Sequence, residues 1–164
     1  MTSIGVTYRD GTYNRTTQIH DWKRRGERLV RASGSQYTIV RPGWFDYNSA
    51  DQHRLVFLQG DARHAGDPSD GVVARQQIAE VLVRSLTSDA ARGKTLELVA
   101  EWGAAQKDLE PLFAALEADV PNGLDAVRDA ANLPLADEPA SVGDDLARFT
   151  AARDTVASTT TSGD

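Results

Sequence analysis

At 164 residues, with 40% hydrophobic and 26% charged side chains, the chain can bury one core and has the make-up of a folded domain. A formal net charge of -6 leaves no face-wide basic excess to neutralise phosphates, so nucleic acid is not expected as a partner, and the absence of cysteine excludes disulfide and thiolate chemistry. No apolar run is long enough to span a bilayer and nothing after Met1 reads as a signal segment, so no membrane contact and a cytoplasmic location are expected.

In chain order, residues 3–7, "SIGVT", and 37–41, "YTIVR", are short β-branched runs separated by a segment with helical spacing. That is a β-α-β unit, with parallel strands, a right-handed crossover and helices over the sheet. The spacing predicts a helix over about 17–33, closed by Gly34. At about 100° per residue, Ile19, Trp22, Gly26, Leu29, Val30 and Ser33 fall on one arc, which is expected to face the core. Arg24, Arg25, Arg28 and Arg31 lie outside it, so the basic cluster "WKRRGERLVR" is expected to be a solvated face.

The second strand must stop at Pro42, which lacks an amide donor and holds Arg41 extended. The aromatic stretch that follows, Trp44, Phe45 and Tyr47, therefore sits at the carboxyl end of a strand, the edge where open α/β sheets bind ligands. Gly43 permits a close backbone approach. The aromatics either wall a pocket or plug the core beneath a loop, and the residues alone leave both open.

Next comes a polar, turn-rich loop, "GDARHAGDPSDG" at 60–71, after the apolar run "LVFL". A second amphipathic helix is expected from about 71 or 72, capped by Ser69 or Asp70, with Val72, Ile78, Leu82 and Leu86 turned inward. "TLELVAE" reads as a further strand, followed by shorter helices at 108–117, 123–131 and 141–153. The closing "STTTSGD" has nothing to bury and is expected to be disordered. The implied division is an α/β part over 1–103, a helical extension over 104–154 and a tail over 155–164. His20, His53 and His64 show no metal-ligand spacing, so no metal site is expected. Asp46 and Asp51 could pair as carboxylates, although such residues more often make turns.

The succession "TSIGV", "WKRRGERLVRASG", "YTIVRPGWF", "RQQIAEVLVRSL" and "GKTLELVAE", over about 1–101, resembles the second half of an atypical short-chain dehydrogenase/reductase, of the kind related to the NmrA-like NAD(P)H-binding proteins. The resemblance implies a partial Rossmann-like parallel sheet with covering helices, NADP or NAD as cofactor, and a loop in which Pro42, Gly43, Trp44 and Phe45 border the nicotinamide. The family's chemistry uses a Ser, a Tyr and a Lys. Ser3 matches the serine that orients the substrate, and Lys23 matches the lysine that holds the cofactor ribose. Ile19 stands at the tyrosine position and cannot transfer a proton; Tyr8 and Tyr13 lie in a preceding loop. Lys23, about 20° from Val30 on the helix, either reaches a cleft or snorkels at the surface.

No G-x-G-x-x-G occurs in the chain. The resemblance thus implies that the dinucleotide-binding half is missing and that Met1 is an internal start, leaving an open edge at "SIGVT" that favours self-association. Two functions stay open. One is an NAD(P)-dependent oxidoreductase, as a partial chain acting on an unknown small molecule, supported by Ser3 and Lys23. The other is a non-catalytic NAD(P)H-binding or redox-sensing regulator, supported by Ile19.

Overall fold

The sheet is built around β5 (Lys94–Glu101), which β1 (Thr38–Pro42) joins in parallel, with Val40 opposite Leu96 and Arg41 opposite Glu97. On the other side of β5, β3 (Arg54–Leu58) pairs antiparallel. The short strands β2 (Trp44–Phe45) and β4 (Val72–Val73) pair parallel with each other, and β4 meets β5 at Val72 opposite Ala100. The helices are α1 (Thr12–Thr17), α2 (Ile19–Ala32), α3 (Arg75–Ser85), α4 (Glu110–Ala114) and α5 (Ala140–Thr161). This computed structural model describes the backbone of residues 1–161 and the side chains through residue 155. The chain is α/β and Rossmann-like, as expected, with helices over the sheet and further helices after it.

Because side chains alternate along a strand, neighbours one residue apart go to opposite faces. On one face Val40, Leu96 and Leu98 pack with Val73, Ile78 and Val81 and with Leu109 and Phe113, whose ring lies 5.0 Å from that of Phe57. The other face carries Arg41, Thr95 and Glu97, all buried. It is covered by α2 and by an irregular, acid-rich stretch over 117–139.

Here the expected solvated basic face is overturned. Arg24 is 0% exposed, and Arg25, Arg28 and Arg31 are buried with it. Each meets a carboxylate: Arg24 donates to Asp125 (2.9 Å), Arg25 to Glu138 (2.6 Å), Arg28 to both Asp125 and Glu138 (2.8 Å each) and Arg31 to Asp119 (3.2 Å). Arg41 bridges Glu27 at 2.6 Å and Asp129 at 2.8 Å. Conversely, Ile19, Trp22 and Val30 are 44%, 52% and 42% exposed, and the Arg25 guanidinium lies 4.5 Å above the Trp22 ring. A helical wheel locates the two faces of a helix but not what comes to cover them. The covering segment supplies counter-charges, which satisfy buried guanidinium groups that an apolar surface could not. Of the expected arc, the half-buried Leu29 packs with Ala32 against Val142 and Leu146 of α5.

Other local expectations also shift. Residues 3–7 do not form a strand: the amides of Thr2 and Ile4 donate to the carbonyls of Val40 and Pro42 at 3.0 and 3.1 Å, in the parallel sense, and the chain then turns at Gly5 (φ 78°). The Asp61 carboxylate makes that turn by accepting from the amides of Gly5 (2.6 Å) and Thr7 (2.7 Å). The expected helix is α2, which starts at Ile19; a short helix, α1, takes the place of the loop before it, and the two are separated at Gln18 (φ 53°), where the Asn14 side-chain oxygen accepts from the amides of His20 and Asp21, which would otherwise be orphaned at a helix start. Gly34 (φ 72°) follows α2 in the left-handed region, as a helix end favours.

Trp44 and Phe45 lie in a strand rather than a loop, and α3 begins later than expected because Val72 and Val73 are taken by β4. The Gln77 side chain caps that helix by accepting from the Ala74 amide at 2.9 Å, and Leu86 points outward, 82% exposed. Within 108–117 only Glu110–Ala114 is helical; 123–131 is irregular, with Arg128 at φ 70°, its acids being drawn to the arginines of α2 and β1. The last helix continues through Thr161, and the end of the expected tail, 162–164, lies outside the described residues.

Candidate functional site

After β1 the chain cannot continue straight. The Gly43 amide donates to Leu98 at 2.9 Å, and a Cβ at residue 43 would fall 2.4 Å from the Gly71 carbonyl oxygen. The close approach expected at Gly43 is therefore to Gly71, where two backbones pack without side chains between them. This brings Trp44 to the wall of a cleft of about 600 Å³, bounded by residues 3–13, the start of α2, the strand end at 42–47 and the loop at 63–66.

The cleft gathers the residues singled out from sequence. Lys23 Nζ donates to Ser3 Oγ at 2.8 Å, and Pro42, Gly43, Trp44 and Phe45 all line the same space. Loss of hydration lowers the Lys23 pKa. Ile19 lines the cleft too, and so do Tyr8 and Tyr13, so phenols reach the space from the turn before α1 and from α1 itself rather than from α2. The Trp44 indole is met by Tyr13 at 6.3 Å with a 59° tilt and by Tyr47 at 6.0 Å edge-on. Tyr8 stacks on His64 at 4.9 Å. Phe45 does both jobs left open by the sequence, lining the cleft and packing against the apolar core, with the Arg75 guanidinium 5.6 Å from its ring. Asp46 is a turn residue at φ 59°; it accepts from the Arg75 amide at 3.0 Å and ion-pairs with its guanidinium.

Some lining residues were not anticipated. His20 precedes Lys23 by one helical turn and sits over Gly5, with its Cε1 3.3 Å from where a Cβ would stand. Its Nδ1 is buried without a hydrogen-bond partner. Its pKa is lowered by loss of hydration first and by the Lys23 charge second, against the opposing pull of Asp61 and Asp21. The i, i+3 spacing of His20 and Lys23 was the available signal. Arg63 and His64 arrive on the polar loop, which Asp70 shapes by accepting from the amides of Ala65 (2.6 Å) and Gly66 (2.7 Å). Beside the cleft a smaller cavity of about 140 Å³ is lined by Asp61 and Glu97. Burial pushes the Glu97 carboxyl up to about 7, with Arg41 opposing.

The arrangement can present a fixed ammonium group, a serine hydroxyl, an imidazole ring and a set of aromatic rings to one ligand. The chain is 33% identical over 93 residues to the chloroplast protein High Chlorophyll Fluorescence Phenotype 173 of Arabidopsis thaliana, covering 57% of this chain and 14% of that protein. It is 30% identical over 96 residues to sanguinarine reductase of Eschscholzia californica, covering 57% and 34%. It is 29% identical over 104 residues to the chloroplast protein TIC 62 of Pisum sativum, covering 61% and 18%. The chain thus spans about a third or less of the length of these relatives. A family model described as NAD(P)H-binding matches residues 1–89, more than half of the chain, and the chain belongs to that NAD(P)H-binding family.

Proposed function

We propose that the cleft receives the nicotinamide and adjoining ribose of NADP or NAD, and that the chain supplies this part of an NAD(P)-dependent oxidoreductase site of the atypical short-chain type. The observation that carries the reading is the Lys23–Ser3 pair, 2.8 Å long, set in one cleft with the aromatic strand end, in a chain of the NAD(P)H-binding family. Lys23 would hold ribose hydroxyls, Ser3 would orient the oxygen of a small substrate, and Trp44 would screen the reacting face from water. The bound dinucleotide would supply hydride chemistry. These residues fit the nicotinamide end. No glycine-rich turn leads into a helix among the described residues, so nothing here fits the pyrophosphate in the same way.

A sanguinarine reductase among the relatives supports reductase chemistry as the first reading. Ile19, in place of a proton donor, supports the second, a non-catalytic NAD(P)H-binding or redox-sensing role. Among the described residues no helix is long and apolar enough to cross a membrane. Relatives named as chloroplast proteins favour a plastid at least as much as the cytoplasm.

Titration with NADPH tests the reading. Lys23→Ala is expected to weaken binding about tenfold, with the thermal midpoint unchanged because the lysine is only half-buried. Unchanged affinity would return Lys23 to a packing role. Binding with carbonyl-dependent NADPH oxidation favours the enzyme, and binding without turnover the regulator.

A further inference from the structure

We infer that Glu97 is a positioning residue for the cleft: uncharged, it leaves Asp61 to hold the turn behind Ser3, and ionised, it loosens that turn. This is regulation of the proposed nucleotide site, and it rests on that reading only where it touches NADPH. Two independent observations lead to it.

The first is a shortage of hydrogen-bond donors at one buried acid. Around Glu97 stand Arg41 from β1, with Glu27 of α2 behind it, Asp129 from the covering stretch, Asp61 and Arg63 from the loop after β3, and Asp70 from the turn at 68–70. The other carboxylates are well served. Glu27 and Asp129 each accept twice from Arg41, Asp61 accepts from two amides and the Thr7 hydroxyl, and Asp70 accepts from two amides. Glu97 has a single donor, the Asp61 amide, at 3.1 Å from Oε2. Its Oε1 is buried without a hydrogen-bond partner among the described residues, 3.6 Å from an Arg41 nitrogen, Nη1, that is already given to Asp129. Of these acids it is therefore the one that most readily takes a proton. Burial, with the Asp61 and Asp129 charges adding to it and Arg41 opposing, pushes its pKa up to about 7.

The second is the connection from Glu97 to the site. Asp61 gives its amide to Glu97 and takes, on its carboxylate, the amides of Gly5 at 2.6 Å and Thr7 at 2.7 Å. One residue thus joins Glu97 to the turn that follows Ser3. Ile4, next to Ser3, walls both the cleft and the small cavity that Glu97 lines, and Arg63 and Asp70 do the same. Ionisation of Glu97 sets a second negative charge beside the Asp61 carboxylate and draws Arg41 Nη1 away from Asp129. The cavity of about 140 Å³ gives these side chains room to move. Asp61 then holds Gly5 and Thr7 less firmly, and the Ser3 hydroxyl is no longer fixed against Lys23.

The test follows the full chain by NMR and by NADPH titration between about pH 6 and about pH 8. The Glu97 carboxyl carbon and the amides of Gly5 and Thr7 are expected to shift together, with a shared midpoint of about 7. NADPH should bind about fivefold more weakly at the upper end of the range. Glu97→Gln, uncharged throughout, should hold the two amides still and keep the affinity level, and Glu97→Asp, which restores an ionising group, should restore the step. All of these proteins keep His20 and His64, so a step common to them belongs to the histidines. Amides that shift alike in Glu97→Gln, or that stay fixed while the wild-type carboxyl titrates, would overturn the inference, and so would an NADPH affinity that ignores pH while the amides move. A chain that binds no NADPH at any pH, yet whose amides follow Glu97, would sink the nicotinamide reading and leave the link from Glu97 to the turn standing. NADPH binding without the shared midpoint would sink this inference alone.

Discussion

The two faces of the central strands are equally buried and held together by different physics. On the Val40 side, apolar side chains from β1, β5, α3 and α4 interdigitate, and any neighbour of suitable size contributes. On the Arg41 side, guanidinium groups and carboxylates must meet at hydrogen-bond distance, because an unpaired charge at that depth is far costlier than a lost methyl contact. The difference teaches that a buried face can be closed by charges when a segment distant in sequence supplies the counter-charges. It also bears on the site. Glu27, which pairs with Arg41, accepts from the Thr2 hydroxyl at 2.5 Å, and Asp61, which holds the turn at Gly5 and Thr7, donates its amide to Glu97. The ionic face thus anchors the segment that carries Ser3.

The strongest way to break the comparison is Arg41→Ala. It strands Glu27 and Asp129 together in the interior and should cost about 3–5 kcal/mol in chemical denaturation. On the apolar face Phe113→Ala should cost a similar ~3–5 kcal/mol. The two losses differ in kind. Adding Glu27→Gln to Arg41→Ala should restore about 1–2 kcal/mol by removing a stranded charge, whereas no second polar change should rescue Phe113→Ala. Failure of that rescue would mean that the two faces respond alike.

A smaller effect separates the faces by pH. The Glu97 carboxyl is raised from its ordinary 4.5 to about 7, so the folded state holds a proton that the unfolded chain releases. Its contribution is fully present below about 4.5 and is lost as pH rises towards about 7. Glu97→Gln should therefore gain on the wild type across that window, by on the order of 2 kcal/mol at its upper end, in denaturation at a series of pH values. A difference that stays flat with pH would show Glu97 ionised throughout.

The smallest change in stability is expected on the outer side of α2. Trp22→Gln should alter stability by no more than about 0.5 kcal/mol, since the ring is half-exposed. It should also lower the apparent mass at high concentration in light scattering, because Trp22, Ile19 and Val30 together leave an apolar helix face uncovered. A mass unaffected by the substitution would show that this face meets no second copy.

Much of the site was legible because its signals are local. Pro42 stops a strand wherever it stands, an aromatic run after it must fall at the strand end, and Ser3 and Lys23 could be read from their spacing within a family resemblance. His20 was passed over as a failed metal ligand, although it lies three residues before Lys23. The contribution of Arg63 and His64 depends on Asp61 and Asp70 shaping the backbones around them, which no local pattern reports.

By itself the sequence determined the α/β class, the positions of β1 and β5, the end of α2 before Gly34 and the strand end where a ligand would lie, since each follows from short-range sterics or the alternation of side chains. Tertiary structure alone decided which side of α2 is inside. Arg24 and Asp125 are 101 residues apart, and Arg28 and Glu138 are 110 apart. The periodicity of a helix divides its surface into a charged side and an apolar side, but the energy of burying either depends on the chain that folds over it. Here that chain carries Asp119, Asp125, Asp129 and Glu138, and the charged side went in.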